Sequence, residues 1–445
     1  MKKNAYCFVL FFLGAFASEH VWSAQLKVPY ESYELDNGLK VILHQDRSIP
    51  KVVVNTWYRV GSKNEMPGRT GFAHLFEHLM FMGTKNVPNG QYDILMEQFG
   101  GTNNASTSND WTNYYNIGAN TLLPTFLWLE ADRMNGLGMA VDQQKLDLQR
   151  KVVRNERRQS YEIQPYGMGE LTLIEHFFPE KHVYKWPVIG SHQDLEAATV
   201  KDVKDFFTKW YVPNNATLVV AGDFDKKVAK KLIQKYYAWI PRGDTPHFEA
   251  AKDLQWPTSY QKVTIQDDVP ASKLTIAFRS PPFYGKGDAE MDILSEILTE
   301  GEVSRLFQRL KLQNAWVEWV ASYQDSMIED SIFQIHTVLK PGVNVDVVQK
   351  EIEKELKNIQ ENGITKAELE RVQAQYEASF LWKLESLADR ADRLNAYQFY
   401  VGEPDYFQQD LQRYQSATVD SVNAIARQVF STPEFTLEIQ PGKKG

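Results

Sequence analysis

Residues 71–81 read Gly71-Phe72-Ala73-His74-Leu75-Phe76-Glu77-His78-Leu79-Met80-Phe81. Past its opening glycine the run holds no helix breaker and is strongly apolar, so it predicts a helix buried on most sides. His74 and His78 stand four apart, which puts both imidazoles on one face, about one turn apart. Glu77 lies three after His74 and points to nearly the same side. Two neutral imidazoles at that spacing can share one Zn²⁺, and a neighbouring carboxylate that stays off the metal can deprotonate a water the metal acidifies. The plainer reading is a pair of hydrogen-bonded core histidines. Against it, ionisable groups crowded among Leu75, Phe76, Leu79, Met80 and Phe81 are costly to bury without a partner. A metal ion supplies one.

The order His-x-x-Glu-His inverts the commoner His-Glu-x-x-His and is the inverzincin signature. Around it, 445 residues are too many for one ordinary core, so two or three domains are expected. Apolar content of 43% with 24% charged residues describes a folded chain. The net charge of −8 and the lack of a Lys/Arg cluster with interleaved aromatics argue against nucleic acid as the main partner. Residues 1–24 read as a signal peptide: Lys2 and Lys3, then an apolar stretch from Ala5 to Ala17, then small residues. Cleavage is expected after Ala17 or near Ser23-Ala24. The only cysteine, Cys7, falls inside that segment, so the mature chain carries no disulfide and no thiol nucleophile. No other run is long enough to span a membrane. An exported, periplasmic protein is expected.

In chain order, Asn37-Gly38 predicts a tight two-residue hairpin turn within 33–43. Lys51 to Val60 reads as a strand, and Gln91 to Phe99 as a helix that Asn89 can cap. Thr102 to Tyr115 is polar and β-rich with a turn near Asn109-Asp110. A polar strand is often an exposed edge, and an extended peptide can pair with such an edge through its main chain. Leu122 to Met134 and Gln143 to Gln159 are helical patterns. In the second, Glu156 reads on local grounds as part of a solvated charged face. Ala216 to Ala221 is a strand and Asp225 to Tyr237 a helix. After a linker the order repeats faintly: strands at 260–265 and 271–278, a helix at 288–298, a strand at 332–339 and a helix at 345–361. Helical tracts 366–388, 389–401 and 418–429 and a last strand, 435–439, complete it. The fold class is therefore α+β, with two related domains, each a mostly antiparallel sheet packed with helices. The expected bounds are 25–245 for the first, 246–259 for the linker and 260–445 for the second, whose matching helix, Leu294-Ser295-Glu296-Ile297-Leu298, lacks the histidines.

Several ordered motifs together carry a resemblance. They are the His74–His78 helix, Asn104-Ala105-Ser106-Thr107, Val152-Val153-Arg154-Asn155-Glu156, the run Val219 to Asp225, Ser304-Arg305-Leu306 and Lys366-Ala367-Glu368-Leu369-Glu370. The chain resembles the pitrilysin–insulinase family of zinc metallopeptidases, in the short branch that includes bacterial exported peptidases and mitochondrial processing peptidase subunits. The resemblance implies one Zn²⁺ per chain held by His74, His78 and Glu156, with Glu77 as general base. It also implies peptide substrate lying along Asn104, Ala105, Ser106 and Thr107. Where relatives often carry a supporting glutamate, this chain has Gln149. Relatives also supply an Arg and a Tyr seven apart from the second domain; the counterparts here are Lys311 and Val317 or Glu318, and no tyrosine is present. The expectation is a zinc endopeptidase whose site a second related subunit completes, with a heterodimer favoured over a homodimer. The alternative is a non-catalytic, zinc-containing scaffold subunit. His176, His182 and His192 fall in an aromatic-rich region that could line the cavity; His44, His247 and His336 read as surface or satisfied core residues.

Overall fold

Strand β6 (Ala216–Gly222) is buried at every position, and only Thr217 interrupts its apolar sequence. Such a strand belongs at the centre of a sheet covered on both faces. The computed structural model, which describes residues 26–442, places it there. The signal-peptide expectation and Cys7 fall outside the described residues. The first sheet adds β1 (Glu31–Glu34), β2 (Lys40–Gln45), β3 (Lys51–Tyr58), β4 (Thr102–Thr107) and β5 (Thr112–Ala119) in the order β1-β2-β6-β3-β5-β4. The second holds β7 (Gln261–Asp267), β8 (Lys273–Ser280), β9 (Val317–Asp325), β10 (Ser331–Leu339) and β11 (Phe435–Pro441) in the order β7-β11-β8-β10-β9. Without β1 the two orders coincide. In each sheet the first pair, β2–β6 or β7–β11, is parallel and the other neighbours are antiparallel. The faint sequence repeat is thus a duplicated topology, and the α+β, mostly antiparallel reading holds.

One face of the first sheet packs on helices that precede residue 240. Leu75, Phe76 and Leu79 from helix Phe72–Leu79, Leu127 from Leu123–Ala140 and Ile233 from Lys226–Tyr237 meet Val54, Tyr58 and Val220. The opposite face takes helix Leu387–Tyr400 from the far end of the chain: Leu387, Ala391, Leu394 and Tyr397 cover Ile42, Val53, Val219 and Ala221. Asp392 on that helix accepts hydrogen bonds from Asn55 (3.2 Å), Trp57 (3.0 Å) and Asn113 (3.2 Å). The second sheet mirrors this. Its own helices, Asp288–Thr299, Val345–Asn362 and Val419–Val429, cover one face through Leu294, Ile352 and Val422. Helix Met168–Phe177, from the first half, brings Leu173 and Phe177 onto Ala277, Leu437 and Ile439 on the other. A Cβ at Gly169 would lie 2.6 Å from Ile439 Cδ1, so the helix packs closely on β11 at that point. Each half lends a helix to the other's sheet, and burial on both faces follows.

The hairpin tips also meet. Asp110, in the β4–β5 turn, is buried and accepts from the Tyr184 hydroxyl (2.7 Å) and the Ile328 amide (3.0 Å), and it pairs with Lys63 at 2.9 Å. Ile328 lies in the β9–β10 turn, so the two hairpins are joined tip to tip. Residues 241–260 carry no helix or strand.

Four local expectations are corrected. The Asn37-Gly38 turn is wider than two residues, because Leu35 and Leu39 still pair (3.0 Å) and Asp36 joins the loop. Asn37 instead spends its side chain on the carbonyls of Tyr237 (2.8 Å) and Ile240 (2.9 Å). Helix Gln91–Phe99 begins after Gly90 in the left-handed region, not under an Asn89 cap. The boundary expected between tracts 366–388 and 389–401 falls earlier: the first helix ends at Lys383 and the second starts at Leu387, because Ser386 caps the Asp389 amide. Strand β9 and helices Met168–Phe177, Val200–Trp210 and Phe407–Gln415 were not expected. Among the described residues no helix is long and apolar enough to cross a membrane.

Candidate functional site

Helix Phe72–Leu79 starts from Gly71, whose φ of 80° suits glycine. A Cβ there would sit 2.9 Å from Gly190 Cα, so the loop before helix His192–Ala197 packs backbone to backbone against the entry of this helix. Helix Gln143–Arg157 lies alongside, capped by Asp142, which accepts from the Lys145 amide (2.9 Å). Its buried positions are Leu146, Gln149 and Val153. The next position on that stripe is Glu156. The helix then passes into a wider π-turn, Arg158–Glu162. Arg157 donates to the Gly190 carbonyl (2.6 Å), which ties the end of this helix to the loop that packs on Gly71.

Three side chains converge there. Glu156 lies 3.2 Å from His78 Nε2 through one oxygen and 3.6 Å from His74 Nε2 through the other. One donor atom from each residue falls within 4.8 Å of the others, and among the described residues no second such group occurs. Tetrahedral donors on zinc at about 2.0–2.2 Å stand roughly 3.3–3.6 Å apart; the two Glu156 contacts match that spacing, and the full set, spread over as much as 4.8 Å, would close by small side-chain movements around such an ion with one position left over. The rings of His74 and His78 meet edge to face, with centroids 4.8 Å apart and planes at 86°. Burial, with His78 beside it, holds His74 down to about 4 against the pull of Glu156, so its imidazole is neutral with a free lone pair. The hydrogen bond from His78 holds Glu156 below the ordinary carboxylate range. Side-chain exposure rises from 12% for His74 through 24% for His78 to 40% for Glu156, so the set opens to solvent on the Glu156 side.

Glu77 faces the same space and binds neither histidine. Its carboxylate accepts from Thr107 Oγ1 at 2.5 Å. Burial pushes it up, while Thr107 and His78 pull it down. Thr107 ends β4, and β4 is an open edge of the first sheet. Along that edge the Ala105 amide is taken by Asn104 Oδ1 (2.9 Å), a local bond that an incoming strand would have to displace. Ala105 is buried towards the core, whereas Asn104 and Ser106 are exposed. Gln149 does not reach the histidines; its amide donates to Met82 Sδ (2.7 Å).

A cavity of ≈ 410 Å³ opens over these groups, lined by His74, Glu77, Thr107, Glu156, Tyr161, Glu170 and Asp325 among others. Glu170 comes from the lent helix and Asp325 from β9, so the second sheet forms one wall. Burial raises the carboxyl groups of both Glu170 and Asp325. Neither position stands in a motif, and only the tertiary fold brings them to the site. Lys311, Val317 and Glu318 are not among the cavity residues: Lys311 covers the Phe307 ring, Val317 is buried in the second core and Glu318 is exposed. His182 is buried against Asp330 (3.1 Å), His176 bonds its own helix, and His192 sits between Arg154 and Glu162. His44 and His336 are core residues bonded to Pro29 and Thr275, and His247 is exposed beside Glu249.

The family model Insulinase (Peptidase family M16) matches residues 40–177, and the model Peptidase M16 inactive domain matches 197–376. The zinc protease PqqE of Helicobacter pylori is 32% identical over 439 residues, 94% of this chain and 95% of that protein. The crystal structure of a protease from Helicobacter pylori superposes with a TM-score of 0.86 at 28% identity, covering 94% of this chain and all (100%) of that one. The periplasmic protease PqqL from Escherichia coli shares the fold at a TM-score of 0.76 and 20% identity, with 94% of this chain matching 48% of that one. With the duplicated sheet, the His-x-x-Glu-His helix and a near full-length relative in agreement, the chain belongs to the insulinase family of peptidases, M16.

Proposed function

We propose that the protein is a zinc-dependent endopeptidase acting on extended peptides or unfolded segments outside the cytoplasm. The observation that carries this is the meeting of His74, His78 and Glu156 beside a half-buried Glu77 that stands outside the set. The chemistry that Zn²⁺ supplies when bound to such a set is to bring the pKa of a water towards neutrality and to polarise a carbonyl. Glu77 takes the water proton and passes it to the leaving amine. Thr107 holds that carboxylate in place through its 2.5 Å hydrogen bond. The open edge of β4 receives the peptide main chain once Asn104 releases the Ala105 amide, so backbone shape is read more than side-chain identity. The carboxylates of Glu77, Glu156, Glu170 and Asp325 give the cavity an acidic lining, which favours substrates with a cationic side chain near the scissile bond.

Among the described residues lining the cavity there is no Arg or Lys. That supports a second, related subunit as the source of the group that steadies the developing oxyanion, a heterodimer before a homodimer. Periplasmic residence rests on the signal-like segment 1–24 and on the description of PqqL as periplasmic. The decisive experiment is Glu77→Gln: zinc, measured by elemental analysis, stays at one per chain while peptide hydrolysis, assayed with and without co-purifying subunits, is abolished. Full activity in that variant would remove Glu77 from the mechanism. The same missing cation favours a second reading, a zinc-containing scaffold subunit; wild-type protein that holds zinc yet cleaves no peptide with any partner would establish it.

A further inference from the structure

The metal helix lacks an ordinary start. The first N–H groups of any helix have no partner within it and usually take one from a Ser, Thr, Asp or Asn side chain. Here the residue before the helix is Gly71, and no side-chain cap is made from it. The partner comes from Glu65, six residues upstream: one carboxylate oxygen accepts from the Gly71 amide (2.9 Å) and the other from the Ala73 amide (2.7 Å). Glu65 is 7% exposed, and among the described residues it forms no salt bridge with a cation. Isolated carboxylates are seldom buried unless something specific compensates them, and here the backbone amides of the first turn do so.

We propose that Glu65 is the positioning residue of the metal helix, setting the first turn so that His74 stays in register with His78 and Glu156. The helix is only eight residues long, and His74 is its third residue, within the turn that Glu65 holds. His78 lies one turn further in, behind Leu75 and Phe76, which are buried in the core. Loss of the Glu65 bonds therefore frays the helix where the first imidazole stands and leaves the second in place. The two carboxylate oxygens accept from different amides of the first turn, so the turn depends on both acceptors being held in fixed positions. Outer groups that orient metal ligands commonly carry a 10–100-fold share of affinity (an order-of-magnitude figure).

This inference rests on zinc being held by His74, His78 and Glu156. The test is the zinc dissociation constant of the full chain by competition with a chromophoric chelator, together with amide hydrogen exchange over residues 70–79 in metal-free protein. In Glu65→Ala the expected results are a loss of zinc affinity of at least about tenfold and faster exchange confined to that segment. Glu65→Gln keeps one acceptor oxygen and loses less. Phe333→Leu, a destabilising change in the second core, is the control and leaves both readouts at wild-type values. Zinc affinity within about twofold of wild type in Glu65→Ala, or in Glu65→Gln should the alanine variant not fold, overturns the proposal, as does an equal loss in the control. Wild-type protein that binds no zinc overturns the metal reading itself, and the exchange measurement still reports on Glu65.

Discussion

Replacing Thr107 by Val removes one hydroxyl and keeps a β-branched residue at the end of β4. In the folded protein that hydroxyl donates to Glu77 at 2.5 Å, the short end of the range for a hydroxyl on a carboxylate, about 2.5–2.7 Å. A hydrogen bond to a charged group contributes about 1.5–3 kcal/mol, and tenfold in rate corresponds to about 1.4 kcal/mol. Thr107→Val should therefore lower kcat/KM for peptide hydrolysis by roughly 10- to 100-fold with zinc content unchanged. The pH dependence has a definite sign. Thr107 pulls the Glu77 carboxyl down against the push of burial, so its loss raises that pKa further. Less of the basic form is then present at neutral pH, and the deficit is larger at pH 6 than at pH 9. Thr107→Ser restores the donor and most of the rate. The assay is initial-rate hydrolysis of a quenched fluorescent peptide across pH, on protein of verified zinc content. If Thr107→Val stays within twofold of wild type at pH 6, or Thr107→Ser is as impaired as Val, the hydroxyl does not hold the base and the reasoning fails.

Other consequences are independent of that bond. Asp292 is half-buried beside Asp288, with Tyr414 donating to it at 2.6 Å, and desolvation pushes its carboxyl up to about 7. The folded state then binds the proton more tightly than the unfolded one, so stability falls as pH rises from about 4 towards 7. Asp292→Asn should melt above wild type at pH 8, by something on the order of 3 kcal/mol, and the gap should close towards pH 4; a pH-independent difference in thermal midpoint would contradict this. Asp110→Ala removes the acceptor for Tyr184 and Ile328 and leaves Lys63 only Glu329 at 3.6 Å. The expected cost is about 3 kcal/mol, with faster proteolytic cleavage within residues 241–260, and an unchanged digestion pattern would mean the hairpin tips do not lock the halves. The acidic cavity predicts that a peptide with Lys beside the scissile bond is cleaved better than its Glu counterpart. That preference should shrink at high salt and in Glu170→Gln, and a preference that ignores both would place the selecting charge elsewhere.

The helix that carries His74, Glu77 and His78 could be read directly, because its information is local. A spacing of four is set by helical geometry alone, and the surrounding apolar residues declare which face is buried. The duplicated order of strands and helices was legible for the same reason, since periodicity and turns act over a few residues. Glu156 is a different case. It follows Leu146, Gln149 and Val153 on one buried stripe, yet nothing local tells an inward carboxylate at the end of such a stripe from a solvated one; only the ordered family motifs did. Strand β9 escaped because its alternation is blurred by exposed Trp319 and Tyr323. Glu65 escaped because its partners are backbone amides, which leave no mark in the sequence.

What the chain determined by itself was the set of local elements and the two imidazoles that share a helix face. Only the tertiary structure decided that each half would lend a helix to the other's sheet, that Glu156 would come to rest 3.2 Å from His78, and that Glu170 and Asp325 would wall the same cavity. The physical reason is range. Backbone geometry and side-chain periodicity act within a turn or a strand, whereas the meeting of distant groups depends on which apolar faces find cover, and many residues far from the site settle that together.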